Sequence, residues 1–321
     1  MDDPRPASIH SLSRRAAHPA QPVKARSARI HAKMSPDDAF RTTLSDCLAQ
    51  MTANAGVLRA GRSVEGLHQL RVGLRRLEVA LKSFGEAFEQ PWLEELRGRA
   101  KVLSSRLGPA RDLDVFLEEL LAAPAKAFSG EEDAEMFASL RGAAEEARET
   151  AWKQAHDCIA SADFTVFIDD VAGLAQSRLP LARDNRVGPL AARMLRRQAA
   201  RAKKRGRAAR SHEEGDLHRL RIALKKLRYS AEFFAPLYKK KKVKRYLSEV
   251  KRLQDCLGRL NDIAHARAVV TRLAPASQSN AGALRFAAGT VQGWYRARQP
   301  RLIKKAMKRW DRLKNTQAFW L

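Results

Sequence analysis

The chain has 321 residues, with 61 lysines and arginines against 35 aspartates and glutamates, which gives a net charge of +26. Hydrophobic residues make up 45% of the chain, too large a share for a disordered protein, and no uncharged apolar run approaches the length of a membrane span. The three cysteines are far apart and form no Cys-x-x-Cys pair, which argues against a disulfide framework and a zinc site and favours a reducing cytoplasm.

Residues 1–35 carry scattered cations among Pro, Ser and Ala, without the apolar segment of a secretory signal. This pattern predicts a disordered basic N-terminal tail that adds anion contacts; a transit peptide is the alternative interpretation. From residue 36 onward, apolar residues recur at helical spacing between Pro and Gly breaks, which predicts an all-α chain. The predicted helices are 36–59, 64–84, 92–107, 110–122, 131–160, 164–178, 187–210, 214–235, 241–257, 260–273 and 280–314.

The positive charge is confined to one end of the chain. Residues 1–179 hold 24 basic and 26 acidic residues, whereas residues 180–321 hold 37 basic and 9 acidic residues. Self-repulsion of this size opposes folding, so we expect a polyanionic partner that relieves it, although a merely solvated surface is the simpler alternative. The composition changes near residue 180, which predicts two halves, 36–180 and 181–321.

Two motifs recur at an offset of 150 residues. The first is Leu-His-Gln-Leu-Arg-Val-Gly-Leu-Arg-Arg-Leu at 67–77, which corresponds to Leu-His-Arg-Leu-Arg-Ile-Ala-Leu-Lys-Lys-Leu at 217–227. The second is Leu-Gly-x-x-Arg-Asp at 107–112, which corresponds to Leu-Gly-x-x-Asn-Asp at 257–262. Because both motifs share one offset, we predict two homologous helical bundles with a pseudo-two-fold relation and a cleft between them.

Each long motif carries an apolar seam and, about a third of a turn away, a cationic stripe. The stripe on the first helix is His68, Arg71, Arg75 and Lys82, and the stripe on the second is His218, Arg221, Lys225 and Arg228. With a rise of ~1.5 Å per residue, a positive group recurs about every 5 Å, which suits a ligand with closely spaced charges along a thread. For each histidine, a structural hydrogen bond at the bundle interface is the competing interpretation.

Further basic residues extend these stripes without acidic partners. Arg193, Arg197, Arg201 and Lys204 follow one face of the predicted helix 187–210, and other cations cover a second face. A surface helix usually includes acidic residues that form i,i+4 pairs, so their absence indicates a counter-charge supplied by a ligand. Lys251 and Arg252 continue the basic field along the next predicted helices.

The Leu-Gly motif has a mainly structural interpretation. Gly108 and Gly258 are suited to ending one helix and starting the next, and Asp112 and Asp262 then stand favourably in a first turn. The two carboxylates are also suited to orienting cationic side chains or binding Mg²⁺.

The repeated His-x-x-Arg-Val/Ile-x-x-Arg/Lys-Arg/Lys-Leu pattern and the Leu-Gly segments resemble the conserved histidine α-helical domain, CHAD, over roughly residues 36 to 315. The resemblance implies two antiparallel four-helix bundles, related by pseudo-symmetry, around a basic groove or pore that binds polyphosphate. Glu78 departs from the pattern, since Arg228 occupies the equivalent place. The predicted polyphosphate-binding residues are His68, Arg71, Arg75, Arg76, Lys82, Lys101, Arg193, Arg197, Arg201, Lys204, His218, Arg221, Lys225, Lys226, Arg228, Lys251 and Arg252.

The resemblance further implies a non-catalytic protein associated with polyphosphate granules in the cytoplasm. We expect no cofactor, no metal site and no membrane partner, and no Glu-x-Glu-x-Lys strand typical of a fused triphosphate-tunnel enzyme occurs. An enzyme acting on polyphosphate is disfavoured because no P-loop and no nucleophile–base pair are visible. The alternative function is binding of RNA or nucleoid DNA, which the same charge would serve through counterion release.

Overall fold

The structure is a computed structural model that describes residues 21–26, 29–88, 90–128, 130–179, 186–273 and 281–321. These residues are almost entirely helical and contain no β-strand, which confirms the predicted all-α class. The helices are α1 (Pro36–Ala60), α2 (Val64–Phe88), α3 (Trp92–Arg106), α4 (Gly108–Val115), α5 (Ala122–Ala127), α6 (Glu131–Ala160), α7 (Ala162–Gln176), α8 (Val187–Ala208), α9 (Glu214–Phe234), α10 (Lys240–Leu273) and α11 (Ala281–Lys314).

Two predicted helix boundaries are wrong. The helices predicted at 241–257 and 260–273 form the single helix α10, which passes through Gly258. A glycine inside a helix costs only about 1 kcal/mol, which is outweighed by burial of the neighbouring Leu257 and Leu260. The helix predicted at 110–122 is divided into α4, a π-helical turn over Phe116–Leu120 and α5.

Local signals explain where several helices begin. Ser35 caps α1 by accepting a hydrogen bond from the backbone N–H of Asp38 at 3.1 Å, with Pro36 in the first turn. Ser161 caps α7 in the same way by accepting from the N–H of Phe164 at 3.2 Å. Both caps satisfy backbone donors that would otherwise lack a partner.

The core is built around α2 and α9. In the first part of the chain α2 packs between α1 and α3, and in the second part α9 packs between α8 and α10. The ring of Phe84 on α2 lies 5.2 Å from that of Phe40 on α1 and 5.3 Å from that of Phe234 on α9. Apolar packing therefore holds the two cationic helices side by side, with α11 closing over α10 and α6.

The predicted domain boundaries fall partly outside the described residues. The boundary at residues 180 and 181 and residues 1–20 of the predicted tail both lie there. Of the rest of the tail, Val23 exchanges two backbone hydrogen bonds with the Asn54 side chain, at 3.1 and 2.8 Å, and Ile30 is buried in the core. These contacts attach residues 21–26 and 29–34 to α1.

No helix in the described ranges has the length and apolar character needed to cross a membrane.

The crossing of α8 and α11 depends on a glycine. Gly206 on α8 lies against the buried indole of Trp310 on α11, and a Cβ at this position would overlap the ring. We expect Gly206→Ala to lower the free energy of unfolding by about 1–3 kcal/mol, the usual cost of overpacking. Gly142→Ala on α6, where nothing lies within 4 Å, should instead raise it by about 0.5–1 kcal/mol. Urea unfolding of both variants measures these changes. Equal changes in the free energy of unfolding would contradict the close packing.

Candidate anion-binding cavity

A cavity of about 440 Å³ lies between α2, α4, α9 and α10. It forms where the cationic stripes of α2 and α9 face each other, because the apolar seams of both helices are directed into the core. The lining residues are His68, Arg71, Arg75, Glu78, Val79, Arg111, Asp112, Val115, His218, Arg221, Ile222, Lys225, Lys226, Tyr229, Asn261, Asp262 and His265.

Most of the lining consists of pairs of residues separated by the 150-residue offset of the sequence repeat. The two motifs therefore meet at one place, each half of the chain supplying equivalent positions to the wall. The pairs are His68 with His218, Arg71 with Arg221, Arg75 with Lys225, Val79 with Tyr229, Arg111 with Asn261, Asp112 with Asp262, and Val115 with His265.

Positive charge outweighs negative charge in the lining. Six lysine and arginine side chains share the cavity with three histidines and with the carboxylates of Glu78, Asp112 and Asp262. Burial raises the pKa of Asp262, although Arg221 opposes this, and burial raises the pKa of Glu78, although Arg75 opposes it. The three carboxylates are fewer than the six lysine and arginine side chains that they face.

Arg71 is the most firmly held cation of the cavity. Its guanidinium is only 8% exposed and donates from Nη1 to the backbone carbonyl of Ser104 at 2.9 Å. A Cβ at Gly108 would lie 3.1 Å from the same nitrogen, so the glycine lets the α3–α4 junction approach Arg71 closely. Burial, followed by the charge of Arg75, lowers the pKa of Arg71 to about 10. Gly258 has no such neighbour, so this role belongs to the first half alone.

The histidines line the cavity and also make polar contacts with α4 and α10. His218 Nδ1 lies 3.1 Å from Asn261 Oδ1, and His265 Nδ1 lies 3.5 Å from Asp112 Oδ2. Burial and the nearby Arg111 lower the pKa of His68, which favours the neutral ring while the cavity is empty. His218 therefore combines a hydrogen bond with exposure to the cavity, and His265 combines such exposure with a contact to Asp112.

Lys225 experiences the strongest effect of the crowded charge. Burial and, after it, repulsion from Arg75, Arg221, Arg228 and Arg71 together lower its pKa to about 6. At neutral pH in the empty cavity this amine is mostly uncharged. An anion in the cavity would restore its positive charge, because an opposite charge at close range favours the ionised form.

The cavity brings together seven of the predicted binding residues. These are His68, Arg71, Arg75, His218, Arg221, Lys225 and Lys226. Lys82 lies beyond them in a smaller adjoining pocket, which we call the side pocket. The side pocket shares Glu78, Val79 and Lys226 with the cavity and is completed by Lys82, Ser83, Arg97 and Gln198. Arg201 of α8 is near this place, since its charge contributes to lowering the pKa of Lys226 after burial and Lys82.

Arg76 and Arg228 lie outside the cavity, at the contact between α2 and α9. Both share the carboxylate of Glu232, Arg76 at 3.5 Å and Arg228 at 3.4 Å. Arg76 is also placed over the ring of Phe233, and its side chain is only 5% exposed. A step of one residue turns a helical side chain by about 100°, which directs Arg76 into the interhelical contact while Arg75 faces the cavity.

The remaining predicted binding residues are spread over the outside of the protein. Lys101 is exposed on α3, Arg193, Arg197 and Lys204 are exposed on α8, and Lys251 and Arg252 are exposed on α10, where Arg252 pairs with Glu249. None of them lines the cavity.

Sequence reasoning assigned no ligand contact to six polar cavity residues. These are Arg111, Asp112, Tyr229, Asn261, Asp262 and His265. The signal was present in part: the second motif shares the offset of the first, and four of these residues belong to it. His265 follows Asp262 by three residues, one helical turn farther along α10, and both residues already lie within the predicted helix 260–273.

In the described ranges, no group of three His, Cys, Asp or Glu side chains is arranged to hold a metal ion.

Removal of the Lys225 amine should stabilise the empty protein. In the unfolded chain a lysine keeps its ordinary pKa of 10.5, whereas in the folded protein the pKa of Lys225 is about 6. Between these two pH values the unfolded chain therefore holds a proton that the folded protein lacks. We expect Lys225→Met to raise the free energy of unfolding most at pH 6 and below, with a gain that shrinks as the pH approaches 10.5. Denaturant unfolding over a pH series measures it; a gain that grows with pH would contradict the buried charge.

Comparison with known proteins agrees with this architecture. The CHAD domain family model matches residues 42–271. A crystal structure of the CHAD domain from the plant Ricinus communis superposes with a TM-score of 0.82 at 26% identity and covers 93% of this chain and 98% of that one. PptA from Streptomyces chartreusis shares the fold, with a TM-score of 0.69 at 20% identity over 87% of this chain and 100% of that one. No curated protein matches significantly. The chain belongs to the CHAD domain family.

Proposed function

We propose that the cavity between α2 and α9 binds inorganic polyphosphate without chemical conversion. The observation that carries this is the crowding of six lysine and arginine side chains in about 440 Å³ with only three carboxylates. A bound polyanion offsets the repulsion among these side chains and restores the charge of Lys225. Arginine contributes planar forks that match phosphate oxygens, and lysine contributes mobile point charges.

The geometry of the stripes favours a thread-like polyanion. Along α2 the groups of His68, Arg71 and Arg75 follow at ~4.5 to 6 Å, and the stripe of α9 repeats this spacing on the opposite wall. A chain of linked phosphates carries closely spaced charges along a narrow backbone and fits between two such rows. A nucleic acid duplex is far wider than this cavity.

The proposal includes the symmetry implied by the family. Seven pairs of lining residues at the 150-residue offset support two four-helix bundles related by a pseudo-two-fold axis through a basic groove. With such an axis, a polymer in the groove meets equivalent positions on both walls.

The lining supports binding rather than catalysis. It contains no serine, threonine or cysteine that would act as a nucleophile. Asp112 lies 3.5 Å from His265, and Asp262 faces Arg221, so both carboxylates already have a partner in the wall. The proposal places the protein on polyphosphate granules in the cytoplasm, with the polymer as its attachment.

A competition assay tests the proposal with two variants of equal charge change. Labelled long-chain polyphosphate is bound to the full chain across a salt series and competed with duplex DNA, single-stranded RNA and short phosphates. We expect Arg221→Ala/Lys225→Ala to weaken binding about 100-fold or more, since each charged hydrogen bond contributes about 1.5–3 kcal/mol. Lys251→Ala/Arg252→Ala, on the exposed surface of α10, should change it only slightly.

Two outcomes would overturn the proposal. Equal losses in the two variants would mean that net charge alone governs affinity. Equal competition by DNA or RNA, together with an unchanged cavity variant, would leave a basic protein whose ligand binds elsewhere.

Glu78 should oppose ligand binding. It lines both the cavity and the side pocket, at the place where the sequence repeat has Arg228 in the other half. We expect Glu78→Gln to tighten polyphosphate binding roughly three- to tenfold, an effect of about 1 kcal/mol from lost repulsion.

A pH series and a control variant complete this test. Burial raises the pKa of Glu78, so the difference from wild type should shrink as the pH falls and the carboxyl takes up its proton. Glu145→Gln, on the exposed surface of α6, is the control. Unchanged affinity in Glu78→Gln, or a difference that grows at low pH, would contradict this role.

A further inference from the structure

A second basic surface lies outside the cavity, on the C-terminal part of α11. Five cationic side chains define it, and we call it the outer basic face. Its residues are Arg301, Lys304, Lys305, Lys308 and Arg312. All five are exposed, and none lines the cavity.

The fold holds α8 and α11 together at one crossing. Gly206 of α8 lies on the buried indole of Trp310, and Arg210 pairs with Asp311 of α11 at 2.5 Å. The five cations of the outer basic face lie on the side of α11 opposite Trp310, and therefore away from α8. They form one stripe about 16 Å long.

The outer basic face has almost no internal counter-charge. α8 contains no Asp or Glu, and α11 contains only Asp311, whose carboxylate is occupied by Arg210 and by Lys314 at 3.1 Å. Among the described residues, the five α11 cations of this face form no ion pair and no side-chain hydrogen bond. Exposed helices usually include acidic partners, so this composition indicates an external polyanion.

We propose that the outer basic face binds the phosphate backbone of duplex nucleic acid, independently of the cavity and without sequence preference. A duplex presents about one negative charge per 1.7 Å of its axis, which places roughly ten phosphates along a 16 Å stripe. The five cations project from one exposed helix face rather than into a groove, so a wide, stiff polyanion can reach them.

The absence of exposed aromatic rings in this region favours a duplex over a single strand. Proteins that hold single strands without sequence preference stack the bases on aromatic side chains. The aromatic residues near the crossing are buried instead, with Trp310 at 4%, Phe319 at 4% and Trp320 at 5% exposure. Contacts to phosphates alone remain, and these need no unstacked bases.

The test uses the full chain and a 20-base-pair DNA duplex as probe, over a salt series. The variant Lys304→Gln/Lys305→Gln/Lys308→Gln/Arg312→Gln removes four positive charges from the face. The logarithm of the affinity falls as the logarithm of the salt concentration rises. We expect the magnitude of this slope to decrease by about four, since each lost phosphate contact reduces it by about one. The control Lys126→Gln/Arg141→Gln/Lys153→Gln/Arg178→Gln removes four exposed charges elsewhere and should keep the wild-type slope.

Two further measurements separate this proposal from polyphosphate binding in the cavity. Arg221→Ala/Lys225→Ala should bind the duplex as wild type does, and wild type saturated with short-chain polyphosphate should still bind it. Equal slopes in the α11 variant and its control would overturn the proposal. So would a single-stranded homopolymer of equal phosphate number that binds as tightly as the duplex. Complete displacement of the duplex by long polyphosphate in the cavity variant would assign the face to polyphosphate instead.

Discussion

The close approach of α2 and α9 is the constraint on which the rest of the structure depends. Each helix carries a row of cations, and the fold places the two rows opposite each other against their repulsion. Apolar burial makes this arrangement stable: Phe84 contacts the aromatic rings of both α1 and α9, and the leucine seams fill the core. The carboxylate of Glu232, shared by Arg76 and Arg228, adds one ionic link beside the cavity.

The same constraint explains the electrostatics of the cavity. Cations that approach each other in a partly buried space lower one another's tendency to hold a proton, which is strongest for Lys225. The folded chain therefore bears an unfavourable charge arrangement that hydrophobic burial offsets. Under the proposed function, a bound anion would relieve this repulsion.

The two copies of the sequence repeat line the same cavity but differ in chemistry. Arg111 of the first half is matched by Asn261, and Glu78 is matched by Arg228. Gly108 ends one helix and makes room for Arg71, whereas Gly258 lies inside the continuous helix α10. The second half also carries the outer basic face on α11. The duplication therefore provides a common frame, in which each half supplies different groups.

The sequence by itself determined the helical class, the repeat and the centre of the cavity, because hydrophobic periodicity and two motifs at one offset are local properties of the chain. It also identified His68, Arg71, Arg75 and their counterparts. It did not separate Arg75 from Arg76, or Lys225 from Arg228, since a helix with cations on several faces does not reveal which face its neighbour covers. Only the packing of α2 against α9 decided that. The tertiary structure likewise placed α4 and α10 beside the stripes and so brought Asp112, Asp262 and His265 into the lining, because contacts between residues far apart in sequence arise only when the helices pack.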